Sequence, residues 1–349
     1  MKSTHKLISK KRNEIRSEFI TLMRGFYSLP ILLNLHKCGF LKKLSSKSYV
    51  NIKNFNVKNK FFFEKILKYL CNLELIDKKK NSYKLTKLGL TVSKRIGTFY
   101  ILNSYSKIPL RFEYNLKKNS NYENWCERND NILGSGLIHK KKFFKPGLEL
   151  SDIKNKNIIF DIGCGDGTYL NLAKSINSRI KIAGCDISSK SVTQTRNNLN
   201  IKDKSQIFRS NGMDIEYIKM YLEKKKIILD KNSLISMWFL LHEISNNSQL
   251  SLIKYLKKVK KNFPETPILI GEISSLSEKQ VRAHNKISIL PEFKLFHELS
   301  GQGLLKEKDY VSIFNKASYK ITKLIRTDKL YNNRIYSSSN FVCLIKPKN

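Results

Sequence analysis

Residues 158–167, Ile-Ile-Phe-Asp-Ile-Gly-Cys-Gly-Asp-Gly, place an apolar run directly before a glycine-rich turn. Gly163, Gly165 and Gly167 lack a Cβ where the backbone must bend sharply and let a ligand lie against it, and 168–175 can continue as a helix whose N-terminus faces that ligand. One acid, Asp161, lies inside the motif. A second, Asp186, ends the apolar run 180–186, where a carboxylate is placed to accept both hydrogens of a ribose diol. The ligand expected at this turn therefore carries a ribose.

In open α/β sheets the reactive groups gather just beyond the carboxyl ends of the strands. His242 and Glu243 follow the apolar run 234–239, Glu272 stands near the end of 268–273, and a second His-acid pair, His297-Glu298, lies in the long segment 274–305. An imidazole titrates near neutrality and suits proton transfer. Two imidazoles at one sheet rim are also a candidate metal pair, with a carboxylate completing a facial triad. Glu243 cannot point the same way as its neighbour His242 in regular structure. Arg282 and His284 on the long segment could meet a carboxylate, the arginine as a bidentate partner.

These groups need a scaffold, and the alternation of apolar runs with helical or loop segments from residue 157 onward describes one. Strands are expected at 157–161, 180–186, 205–209, 234–239, 268–273, 319–326 and 334–345, the last two joined so closely that they form an antiparallel hairpin at the sheet edge. The fold class is α/β, a Rossmann-like domain with a seven-stranded mixed sheet. Upstream, the 3.6-residue periodicity of 14–35 and 61–70 gives helices. A hairpin around the polar turn 77–82 follows, and Thr86 caps the next helix. Helices followed by a small hairpin describe a winged helix, and the division expected is 1–110 for it, 111–150 for a helical connector over the site, and 151–349 for the catalytic domain.

The string Asp161-Ile-Gly163-Cys-Gly165-Asp-Gly167 resembles the first motif of class I S-adenosylmethionine (SAM) methyltransferases. That resemblance implies SAM as cofactor, with the turn near its methionine end and Asp186 on its ribose. Asn211-Gly-Met213-Asp214 resembles the adenine-contacting segment of the same family, and the motifs fall in family order. The segment around His242-Glu243 resembles the His-Asp pair of plant-type small-molecule O-methyltransferases, in which the histidine is the general base and an acid corresponding to Glu272 lies nearby. In those enzymes the N-terminal winged helix dimerises, which implies a homodimer here.

The second histidine is similar to a feature of the α-keto acid C-methyltransferases, a small family that includes 2-ketoarginine and phenylpyruvate enzymes. Carried onto this chain, the resemblance implies a divalent or ferric ion held by His242 and His297, with Glu243 or Glu298 nearby, chelating an α-keto acid so that the adjacent carbon becomes nucleophilic. C-methylation of an α-keto acid is thus the leading expectation and O-methylation of a small molecule, with His242 as base, the alternative.

Composition bounds the remaining possibilities. At 349 residues, with 41% hydrophobic and 11% aromatic residues, the chain can bury two cores. The net charge of +38 invites a nucleic-acid partner, and the lysine run 78–80 in the wing would suit phosphate contact by a DNA-binding regulator. Lysine, asparagine and isoleucine are nevertheless enriched everywhere, which A- and T-rich codons suffice to explain, and no Asn-Pro-Pro-Tyr motif for base amines is present. The partner expected is a small-molecule acceptor. No apolar run is long enough to span a bilayer, the basic N-terminus lacks an apolar core, and the six scattered cysteines show no CxxC spacing, so a cytoplasmic location with reduced thiols is expected.

Overall fold

The computed structural model describes residues 2–117, 126–199, 206–245, 248–283, 288–300, 302–326 and 340–348. They divide into two compact units, Met1–Asn103 and Ser104–Asn349.

The first unit begins with α1 (Lys2–Lys37), which runs through Pro30, and α2 (Phe40–Leu44). It continues with β1 (Val50–Asn51), α3 (Lys60–Asn72), β2 (Ile76–Lys79), β3 (Ser82–Leu85), α4 (Lys87–Lys94) and α5 (Ile96–Ser104). Asn59 caps α3 by accepting the Phe62 N–H at 2.9 Å, and Phe63, Leu67 and Leu70 bury one stripe of that helix. β2 and β3 form the expected hairpin, with β1 completing an antiparallel sheet in the order β1-β3-β2. Thr86 Oγ1 accepts the Gly89 N–H at 3.0 Å and so starts α4 where the sequence places its cap. The unit is a winged helix.

The second unit opens with short helices, α6 (Lys107–Leu110) and α7 (Phe112–Lys117), then α8 (Arg128–His139), a π-helical turn over Lys140–Phe144, and α9 (Lys145–Leu150). From there strands and helices alternate: β4 (Ile158–Ile162), α10 (Thr168–Ile176), β5 (Lys181–Asp186), α11 (Ser189–Leu199), β6 (Ile207–Arg209), α12 (Ile215–Lys224) and β7 (Ser233–Trp238). α13 (Leu241–Ser245), α14 (Gln249–Asn262), β8 (Ile268–Ile273), α15 (Glu278–Ala283), α16 (Leu290–Leu299), α17 (Glu307–Lys316), β9 (Tyr319–Arg326) and β10 (Asn340–Pro347) complete it. The sheet order is β6-β5-β4-β7-β8-β10-β9. The pairings among the first five are parallel, whereas β10 is antiparallel to both β8 and β9. The sheet is therefore mixed and seven-stranded, as expected. The first residues assigned to its last strand, 334–339, lie outside the described residues.

The continuous apolar runs arise because helices cover both faces of the sheet. Phe160, Ile235 and Ile270 enter one core with Leu252 and Leu256 of α14 and Phe314 of α17. Their neighbours Ile159, Leu234 and Leu269 enter the other with Leu148 of α9 and Leu170 of α10. Trp238, at the end of β7, belongs to the second core and occupies space that two glycines leave open. A Cβ at Gly271 of β8 would lie 2.1 Å from the indole Cε3, and one at Gly147 of α9 would lie 2.6 Å from Cη2. Gly271→Ala is expected to cost about 1–3 kcal/mol in urea unfolding, the usual penalty for overpacking. Adding Trp238→Leu should cost less than the sum of the two single changes, because the second removes the clash created by the first.

Candidate active site

The glycine turn is held by backbone it does not itself contain. The amides of Gly163 and Cys164 both donate to the Cys185 carbonyl, at 2.8 and 3.0 Å, and Thr195 Oγ1 donates to the Gly165 carbonyl at 2.7 Å. Gly163, Gly165 and Gly167 all have positive φ, between 56° and 80°, a region from which a Cβ is excluded at little cost only for glycine. At Gly167 there is a further reason, since a Cβ would meet Thr195 Cγ2 at 2.8 Å.

The two acids of this region have different tasks. Asp161 is buried in β4 and accepts the Ser236 hydroxyl at 2.6 Å. Burial pushes its carboxyl up to about 8, with the nearby charge of Asp186 adding to the effect and Ser236 opposing it. Asp186 ends β5, 8% exposed, and its two oxygens accept the amides of Gly165 at 3.0 Å and Ser188 at 2.8 Å. Burial raises its carboxyl, while those amides and Arg128 hold it down. After β6, Asn211 Oδ1 accepts the Met213 N–H, and Asp214 caps α12 by accepting the Tyr217 N–H at 3.2 Å. Met213 and, next to Asp186, Ile187 remain exposed apolar side chains.

On the other side of β4, Glu272 is fully buried near the end of β8. One of its oxygens accepts the amides of Leu241 and His242 at the start of α13, at 2.8 and 3.2 Å. The other meets His242 Nδ1 at 2.7 Å and accepts the Ile273 amide at 2.9 Å. An ionised carboxylate only accepts hydrogen bonds, so in the neutral form of His242 the proton sits on Nδ1 and Nε2 carries the lone pair. Burial lowers the His242 pKa, but Glu272, with a smaller contribution from Glu243, outweighs it and the net displacement is upward. The imidazole of His297, on α16, lies with its ring centre 5.3 Å from that of His242. Its Nδ1 donates to the Phe293 carbonyl at 2.7 Å, and burial followed by the neighbouring His242 pushes its pKa down to about 3.

The two histidines expected at one rim therefore meet, but the carboxylate expected to complete a facial triad does not join them. Glu243 turns to Arg128, with Nη1 3.6 Å from its Oε2, and accepts from Gln302 Nε2 at 3.4 Å. Glu298 is exposed and pairs with Lys294. Glu272 faces Nδ1 of His242 rather than the ring edge that a metal would take. Among the described residues no group of three or more His, Cys, Asp or Glu side chains is disposed to hold a metal. Arg282 is exposed at the end of α15, and His284 lies outside the described residues.

Three groups near the site carry no signal in the sequence. Arg128 belongs to a polar connector without periodicity, and Tyr105, ahead of that connector, stacks on Phe296 of α16 with ring centres 4.3 Å apart. His139, the last residue of α8, packs its ring 4.1 Å from that of Phe239, whose φ of 54° is unusual for a bulky residue, and Nδ1 meets Ser135 Oγ at 2.9 Å. Burial, then Lys142, lowers its pKa to about 3.

Residues 24–111 match the family model described as the AprA winged helix domain. Solved structures match nearly the whole chain. Human N-acetylserotonin methyltransferase, solved in complex with SAM, superposes with a TM-score of 0.62 at 14% identity, covering 96% of this chain and 98% of that one. The mitomycin 7-O-methyltransferase MmcR gives 0.58 at 10% identity, covering 97% and 99%. The pyocyanin biosynthetic protein PhzM gives 0.57 at 9%, covering 96% and 99%. No curated protein sequence matches the chain. The architecture is that of the class I methyltransferases that carry an N-terminal winged helix.

The Asp161 carboxyl yields a test of this geometry. A folded-state pKa raised to about 8 means that its contribution to stability is fully present below the unfolded value of 3.8 and is lost progressively as pH rises from there to about 8. Asp161→Asn, neutral at every pH, should therefore lose less stability than the parent as pH rises towards about 8 in parallel urea titrations. An equal loss in both proteins would contradict the placement of that carboxyl.

Proposed function

We propose that this protein transfers the methyl group of SAM to a small-molecule acceptor, with His242 as the base that takes the acceptor's proton. The observation that carries this reading is the His242–Glu272 pair, which leaves a lone pair on Nε2 of a ring that cannot rotate away. In the step, the acceptor oxygen forms a bond to the methyl carbon as the carbon–sulfur bond breaks. The bonding electrons stay on sulfur to give S-adenosylhomocysteine, and the hydroxyl proton passes to Nε2. The glycine turn, the Asp186 carboxylate and the exposed Met213 have the chemistry for the aminoacyl, ribose and adenine parts of the cofactor.

His242→Gln is expected to lower kcat for methyl transfer from labelled SAM by about 10²–10⁴, the usual worth of a general base, while S-adenosylhomocysteine binding stays within a few fold. The acceptor panel should contain hydroxylated aromatics and α-keto acids. Full activity of the variant would remove His242 from the chemistry.

One observation favours the second reading, C-methylation of an α-keto acid with a metal. Both His242 and His297 have Nδ1 engaged by an acceptor, which leaves two Nε2 lone pairs on neighbouring rings. His242 and His297 would hold such an ion, and when bound it would polarise the keto oxygen of the acceptor. The residues fit a two-imidazole site and not the facial triad. Dialysis against a chelator followed by assay separates the readings, since α-keto acid turnover that survives metal removal leaves the base mechanism alone.

A homodimer is part of the same proposal. On α1 the side chains of Phe19, Leu22, Met23 and Phe26 are exposed at helical spacing, and Leu22 is 76% exposed. Such an apolar stripe supports burial against a second copy. Leu22→Glu combined with Phe26→Glu is expected to shift a dimer to a monomer in light scattering, and unchanged mass would place the contact elsewhere.

A further inference from the structure

The strongest unassigned feature near the glycine turn is the first turn of α8. That helix runs along the glycine turn in steps of one turn. Ile132 lies so close to Gly165 that a Cβ there would sit 3.2 Å from its Cγ2, and Gly136 faces Thr168 Oγ1 and Asp166 Oδ2 at 3.2 and 3.3 Å from the position its own Cβ would take. Gly165 is the residue whose amide donates to Asp186. Arg128 stands one turn before Ile132 on the same helix, and its guanidinium reaches Glu243 at 3.6 Å. Glu243 in turn precedes the rest of α13 and follows His242, and it accepts from Gln302.

We propose that Arg128 is a positioning residue that ties α8 over the glycine turn, standing between the ribose-facing carboxylate Asp186 and Glu243 beside the proton acceptor. The inference rests on the reading of Asp186 as the ribose acceptor. A guanidinium is the suitable cation for this place, because its planar fork can serve two carboxylates and stays charged throughout the accessible pH range. Its function is electrostatic as well as mechanical. Asp186 is buried enough that its carboxyl is raised, and Arg128 is the side-chain cation that opposes this. The other titratable groups facing Asp186 are Glu243 and Asp161, together with the thiols of Cys164 and Cys185. Burial pushes both thiols and the Asp161 carboxyl up, and the side-chain charges that act on Asp186 are those of Arg128 and Glu243.

Calorimetric titration of the full chain with S-adenosylhomocysteine between pH 5 and 7.5 tests this. Arg128→Gln is expected to weaken binding about tenfold at neutral pH, as loss of a charge-assisted contact would, and to move the acid limit of binding upward. Arg128→Lys should restore most of the affinity. Glu243→Gln, which removes a repelling charge but keeps the shape, should move the acid limit downward. Unchanged affinity and an unchanged pH profile in both Arg128→Gln and Glu243→Gln would overturn the proposal, and Glu243→Gln decides alone should Arg128→Gln fail to fold. Absence of binding by the parent protein would instead overturn the cofactor reading on which it rests.

Discussion

A single buried carboxylate organises the candidate site of this molecule. Glu272 is withdrawn from water, and an ionised carboxylate so placed is costly unless its lone pairs are satisfied. Here they are taken by three backbone amides and one imidazole. Those four partners fix the start of α13 to the end of β8, set the His242 tautomer and hold the ring in one orientation. The strand pairing of β7 with β8, and the second core beneath Trp238, bring the two ends close enough for this to happen. Without that carboxylate the amides that open α13 would lose their acceptor and His242 its orientation together.

The scaffold was largely legible in the residues because it depends on short-range rules. Apolar runs of strand length alternating with helical segments led to β4, β5, β7 and β8, and glycines at three alternate positions led to the turn with positive φ. The cap at Thr86 and the hairpin before it follow from local chemistry as well. The His242–Glu272 contact was within reach of the same logic, since both residues stand at the carboxyl ends of neighbouring strands of one rim.

The side-chain directions at the site were not legible. Glu243 turns to Arg128 because that arginine lies on a helix from a connector whose polar sequence announces no partner, and only the tertiary path of α8 brings it there. Asp214 is used as a helix cap, which its place before the run 215–224 permits but does not distinguish from a ligand contact. The His297 ring lies 5.3 Å from that of His242, yet the spacing of 55 residues says nothing about which ring nitrogens remain available. That depends on the Phe293 carbonyl one turn back in α16.

The indole of Trp238 fills room left by Gly147 and Gly271, which belong to a helix and a strand far apart in sequence. Three positions are thereby bound into one volume, and the order in which they can change is fixed. A side chain at either glycine overpacks the corner until the large ring has been exchanged for something smaller, whereas the ring can shrink first and leave a void that later substitutions fill. Drift at this corner of the domain is thus a one-way sequence, entered through residue 238.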